Sequence, residues 1–182
     1  MPVLVAVAIL AAVALWLVLG YNKLVRLRNR VQSGWSQVDV QLKRRYDLVP
    51  NLVETVKGYA AHEQSTFLAV VEARNAAQGA STVGGQAAAE NVLTGALRQL
   101  FAIAESYPDL EASEGFRTLQ TQLADVEGDI TVARQIFNDT TLTYNNAVET
   151  IPTNLVARLT GFSRSEFFEV EDEGRSVPKV QF

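Results

Sequence analysis

The residues with chemical reach concentrate between Gln37 and Glu63, in QVDVQLKRRYDLVPNLVETVKGYAAHE. Asp47, Asn51 and Glu54 stand at i, i+4 and i+7, on one face of a helix, and His62 follows a turn or two further along. A hard cation takes oxygens that converge from several elements. One helix cannot supply them, so this face reads as solvated and no metal or other cofactor is expected. His62-Glu63 has the opening of the zinc-protease motif, but Thr66 stands where its second histidine belongs. Lys43-Arg44-Arg45 has the composition of a nucleic-acid patch. Successive helical residues, however, point about 100° apart, and the chain beyond is acidic, so ion pairing suits these cations better and no nucleic acid is expected. No nucleophile–base pair can be assembled, so no catalytic residue is assigned. The candidate interaction residues are Lys43, Arg44, Arg45, Asp47, Asn51, Glu54 and His62.

Composition narrows the chemistry further. The chain of 182 residues contains no cysteine and one histidine. That excludes a disulfide framework, a thiol nucleophile, a lipid-modified cysteine and multi-histidine metal motifs. The net charge of −4 conceals a split: residues 21–45 carry seven Lys/Arg against one Asp, and residues 46–182 carry nine against nineteen acids.

The elements that must position these residues are helices. Val3 to Leu19 is a run of seventeen uncharged residues, VLVAVAILAAVALWLVL. At 1.5 Å per residue it reaches roughly 26 Å, and Gly20 and Tyr21 extend it toward the ~30 Å of a bilayer core. A cleaved signal peptide is the rival reading, but there is no basic n-region and no small-x-small site where Val18-Leu19-Gly20 stands. A retained anchor over residues 1–22 is expected, flanked by Tyr21, Lys23, Arg26, Arg28 and Arg30. These cations place the N-terminus outside and the domain in the cytoplasm, at the inner membrane.

Leu24, Leu27, Val31, Trp35, Val38 and Leu42 carry an apolar stripe onward, and Val49, Leu52, Val53, Val56 and Tyr59 continue it. The reading is one helix from the anchor to about Ala76–Gly79, kinked at Pro50; the alternative is a new helix capped by Asp47. GASTVGGQ, residues 79–86, reads as a loop. A second helix is expected from about Gln86 to Ser106, with Val92, Leu93, Ala96, Leu97, Leu100, Phe101 and Ile103 inward. A third is expected from about Ser113 to Thr150, with Phe116, Leu119, Leu123, Val126, Ile130, Ala133, Phe137, Tyr144 and Val148 inward and a thin layer at Thr140 and Thr141. Pro152 and Gly161 bracket a short helix, Thr153–Thr160. Trp35, Tyr46, Tyr59 and Tyr144 read as core aromatics with a wet end. The fold class is all-α: a transmembrane helix continuing into an antiparallel three-helix, up-down-up bundle over residues 23–161. A tail, 162–182, packs back through Phe162, Phe167 and Phe168, with an acidic turn at Glu169–Glu173 and an extended Val177–Phe182.

The block VDVQLKRRYDLVPNLVETVKGYAAHE, with Tyr21-Asn22 and Leu27-Arg28-Asn29 before it, resembles the signature of the LemA family of bacterial membrane-anchored helical proteins. Glu90-Asn91-Val92-Leu93-Thr94, Ala104 to Leu110, Tyr144-Asn145 to Pro152 and Gly161-Phe162 extend the resemblance. It implies one anchor followed by an antiparallel helical domain, and no catalytic residues.

Two function classes follow. The first is a non-enzymatic membrane-anchored scaffold, a coiled-coil-like bundle that self-associates as a homo-oligomer on the lipid bilayer and holds or organises a membrane partner. The second is a regulatory or enzymatic module acting with a membrane protease or signalling system through Asp47, Glu54 and His62. The missing nucleophile–base pair favours the first.

Overall fold

A computed structural model describes residues 1–169. Their helices are α1 (Pro2–Lys57), α2 (Gln64–Gly79), α3 (Val83–Ala104), α4 (Pro108–Glu111), α5 (Glu114–Glu149) and α6 (Thr153–Thr160). No strand occurs among the described residues. Beyond Glu169, the expected acidic turn and extended terminus lie outside them. The chain divides into two compact units, and α1 and α5 each contribute to both. One unit holds Met1–Asp39 and Val132–Glu166; the other holds Val40–Thr131 and the segment from Phe167.

In the second unit α1 buries Leu42, Tyr46, Val49, Leu52, Val53 and Val56. The helix then stops at Lys57, about twenty residues before the expected end. The Gly58 and Ala60 amides close the last turn onto the Glu54 and Val56 carbonyls, and α2 starts afresh at Gln64. Periodicity could not reveal this break. The buried positions Val56, Ala60, Phe67, Val70, Ala73 and Ala77 keep helical spacing straight across the turn. Side-chain contacts show that α2 folds back along α1: Arg74 Nε donates to the Tyr46 carbonyl at 2.7 Å. Gln86 Nε2 donates to the Ala77 carbonyl at 3.0 Å, so α3 reverses direction again. The rings of Phe101 and Phe116 meet at 6.1 Å where α3 hands over to α5. This unit is therefore up-down-up-down, with one more helix than expected.

Pro50 sits inside continuous α1, so Asp47 caps no new helix. A proline has no N–H to bond the carbonyl four residues back, which here belongs to Tyr46. That freed carbonyl is the acceptor Arg74 occupies. The interhelical bond thus uses the group the proline leaves unpaired. The expected flexible loop shrinks to Ala80–Thr82, because Thr82 Oγ1 accepts the Gly85 amide at 3.0 Å and starts α3 early. Leu93, Ala96, Leu97 and Leu100 are buried as expected, whereas Val92 and Tyr59 are exposed, at 62% and 48%. Both belong to the expected stripes by type, but each stands one position off the line the buried residues draw.

In the first unit the early part of α1 pairs antiparallel with the end of α5. The Trp35 and Phe137 rings meet edge-on at 5.3 Å, and Leu24 shares a buried cluster with Ala147. A Cβ at Gly34 would lie 3.2 Å from Thr140 Oγ1 and 3.3 Å from Phe137 Cα. The glycine at this position is therefore what lets the two helices approach. Thr141 is fully buried where a thin layer is expected, and its hydroxyl finds no partner among the described residues. The α6 boundaries match expectation, and Gly161 ends the helix at φ 75°, a conformation that favours glycine. The chain then returns along α5. The Tyr144 hydroxyl donates to the Ser163 carbonyl at 2.8 Å, and Asn145 pairs with both backbone groups of Ser165. Phe162 lies against Tyr21 and under the Arg28 guanidinium.

Candidate functional site

The polar centre of the second unit is built from four helices. Arg45 occupies an inward position of α1, three residues after Leu42 and four before Val49, and is only 3% exposed. Its Nη1 meets Glu90 Oε2 on α3 at 2.8 Å. Its Nη2 meets Thr94 Oγ1 and the Glu127 carboxylate on α5, each at 2.8 Å. The Tyr46 hydroxyl donates to the other Glu90 oxygen, and Gln86 Nε2 donates to both that oxygen and the Tyr46 oxygen. Through Gln86 the network reaches the end of α2.

The electrostatics are those of a closed lock. Burial raises the Tyr46 phenol well above its usual range, and the hydrogen bond to the Glu90 carboxylate raises it further. Tyr46 therefore remains an O–H donor, the form that the Glu90 oxygen needs. Glu90 accepts from Arg45, Tyr46 and Gln86, which compensates a carboxylate that is 4% exposed. Such an arrangement fixes which helix faces which. It offers neither an exposed nucleophile nor a base within reach of a substrate.

The expected interaction residues are dispersed. Arg45 is committed to the lock, while Lys43 and Arg44 are exposed, with Arg44 3.7 Å from Asp129 of α5. Asp47, Asn51 and Glu54 line an exposed face of α1, and Glu54 pairs with Lys57 at 3.6 Å. His62 is exposed in the turn between α1 and α2 and not on a helix. Among the described residues no three His, Asp or Glu side chains gather as a metal site would require. Of the membrane-flanking set, Lys23, Arg26 and Arg30 are exposed, while Tyr21 and Arg28 pack on Phe162.

Gln86, Glu90, Thr94, Arg74 and Glu127 carried no role in the sequence reading. A signal for two of them was present. Gln86 and Glu90 lie on the line that continues through Leu93, Leu97, Leu100 and Ala104, just as Arg45 lies on the line of Leu42 and Val49. Charges of opposite sign on two apolar stripes are what a buried pair looks like in one dimension.

Two open clefts lie in the second unit. One, about 300 Å³, lies between α3 and α5 beside Arg45, walled by Leu97, Phe101, Leu123 and Ala124. The other, about 340 Å³, lies at the α1–α2 turn, walled by Val53, Phe67, Leu68 and Val71.

The sequence pattern of the LemA family matches residues 34–182, which takes in the whole lock. The chain belongs to the LemA family. Similar proteins include the magnetosome protein MamQ of Magnetospirillum gryphiswaldense, 29% identical over 94% of this chain and 73% of its own length. Magnetosome protein MamQ 2 of Paramagnetospirillum magneticum is 28% identical over the same shares. Protein LemA of Metamycoplasma hominis is 26% identical over 75% of this chain and 63% of its own length. With its uncharged run of residues 3–19 inside α1, this LemA-family chain is a membrane-associated helical protein.

Proposed function

We propose that this LemA-family protein is a non-enzymatic, membrane-anchored scaffold that self-associates, with its helical domain on the cytoplasmic side of the inner membrane. The observation that carries the reading is the apolar cleft at the α1–α2 turn. Leu68 and Val71 on its wall are 61% and 41% exposed, and Glu54, Lys57 and Gln64 supply the polar part of its lining. Large apolar side chains left half-open around a cleft with a polar edge are the form that a protein contact site takes. Charge is a weaker candidate, because Arg45 is buried and Arg44 has Asp129 beside it.

Particle size in a mild detergent or in nanodiscs tests it. The parent should run as a multimer. Leu68→Glu with Val71→Glu should reduce it to smaller species at unchanged helicity, while Lys43→Glu with Arg44→Glu should change it less. A parent that is monomeric in both environments ends the scaffold reading.

A further inference from the structure

Helix α6 has one face that the first unit covers and one that it does not. Val156 and Ala157 are each 1% exposed, in a cluster with Leu24 and Ala147. Ile151, Leu155 and Leu159, spaced by four, are 81%, 50% and 75% exposed. Leu155 and Leu159 stand one turn apart on the open face of α6, Ile151 lies in the turn just before the helix, and Arg158 is along the edge of that face.

The covered face fixes where the open one stands. A Cβ at Gly20 would meet Val156 Cγ2 at 2.9 Å, so α6 rests directly on the α1 backbone there. Trp16 and Leu17 pack against the same cluster. Both belong to the uncharged run that ends at Leu19, and Trp16 lies roughly 5 Å along the helix axis inside that end. The cluster under α6 therefore straddles the end of the uncharged run. Lys23 and Arg26 are exposed just beyond it, at the level where lipid phosphates are found.

From this placement we propose that α6 is a membrane-interface helix. Its Leu155 and Leu159, with Ile151 of the turn before it, are seated in the headgroup–acyl boundary of the bilayer that α1 crosses, and Arg158 faces the phosphates. Short amphipathic helices gain their hold by burying such a face at that depth. The first unit then grips lipid with two elements instead of one. A second element fixes the rotation of α1 about its axis, which a lone span leaves free. The proposal rests on α1 crossing the membrane and is independent of self-association.

The chain has no cysteine, so single labels can be placed without background. Leu159→Cys and Leu155→Cys, Leu10→Cys within the uncharged run, and Ser36→Cys on exposed α1 are each labelled with an environment-sensitive fluorophore. The full chain is reconstituted in phosphatidylcholine–phosphatidylglycerol vesicles, and quenching by lipid-borne nitroxide is compared with quenching by aqueous iodide. Expected are loss of signal to nitroxide and shielding from iodide at Leu155, Leu159 and Leu10, with the reverse at Ser36. Iodide quenching at Leu159 while Leu10 stays lipid-quenched overturns the proposal alone. Iodide quenching at Leu10 as well overturns the membrane span beneath it. Shielding at Leu159 from both quenchers that is lost on diluting protein in lipid assigns the open face to a second copy, and the proposal fails.

Discussion

Arg45 holds a full charge at a position that an apolar residue would fill in most helical bundles. Its guanidinium is balanced by Glu90 and Glu127. Removing one partner strands the other, which costs more than the pair contributes. Arg45→Met, which leaves the buried Glu90 carboxylate without its cation, should therefore lower stability by about 3–5 kcal/mol. Arg45→Met combined with Glu90→Leu should recover much of that loss, because a buried ion pair is close to neutral against a well-packed apolar replacement. Thermal melts of the detergent-solubilised single and double variants read the difference directly. Tyr46 gives the same lock a pH signature. An unfolded tyrosine ionises near pH ~10, whereas burial and Glu90 hold the folded phenol protonated to higher pH. The associated stability is fully present below about pH 10 and is lost as pH rises beyond it. Tyr46→Phe should flatten the alkaline fall in melting temperature. It should not abolish it, since burial also raises Tyr144.

Individual helices were legible to different degrees. The stripe of α5 is nearly as the spacing predicts, with Phe116, Leu123, Val126, Ile130, Ala133, Phe137 and Tyr144 buried. Leu123→Ala should cost about 2–5 kcal/mol through the cavity it leaves. Val126→Asp should cost at least as much, because a carboxylate at an 8% exposed site has no cation supplied for it. If Val126→Asp melts like the parent, α5 is rotated from the orientation described. The α1–α2 turn was not legible, because its buried positions stay in phase with an unbroken helix. Glycine at position 58 was the one local hint, and a single glycine inside a helical pattern is a weak stop signal.

For the molecule as a whole, the asymmetry of charge is the quantity with an observable consequence. Seven cations against one acid over residues 21–45 predict an N-terminus outside and a domain in the cytoplasm. A reporter fused after Phe182 should report a cytoplasmic location. Neutralising Lys23, Arg26 and Arg30 together should yield mixed orientations. Arg28 is best left in place in that experiment, because its guanidinium lies 5.0 Å from the Phe162 ring centre and its loss would also disturb packing.

What the sequence determines by itself follows from one-dimensional periodicity and composition. An uncharged run of seventeen residues needs no partner to be a candidate span, and spacing of three and four needs none to be a helix. Proline at position 152 and glycine at position 161 likewise set the limits of α6 through local backbone chemistry. Tertiary structure alone decided the rest. Whether α1 and α2 are one helix or two depends on a turn whose reward lies in the packing of α2 back against α1 and against α3. Whether Arg45 faces water or the core depends on Glu90 and Glu127, forty-five and eighty-two residues away. A charge becomes an acceptable core residue only when its counter-charge is delivered in space, and no local pattern around Arg45 records that delivery.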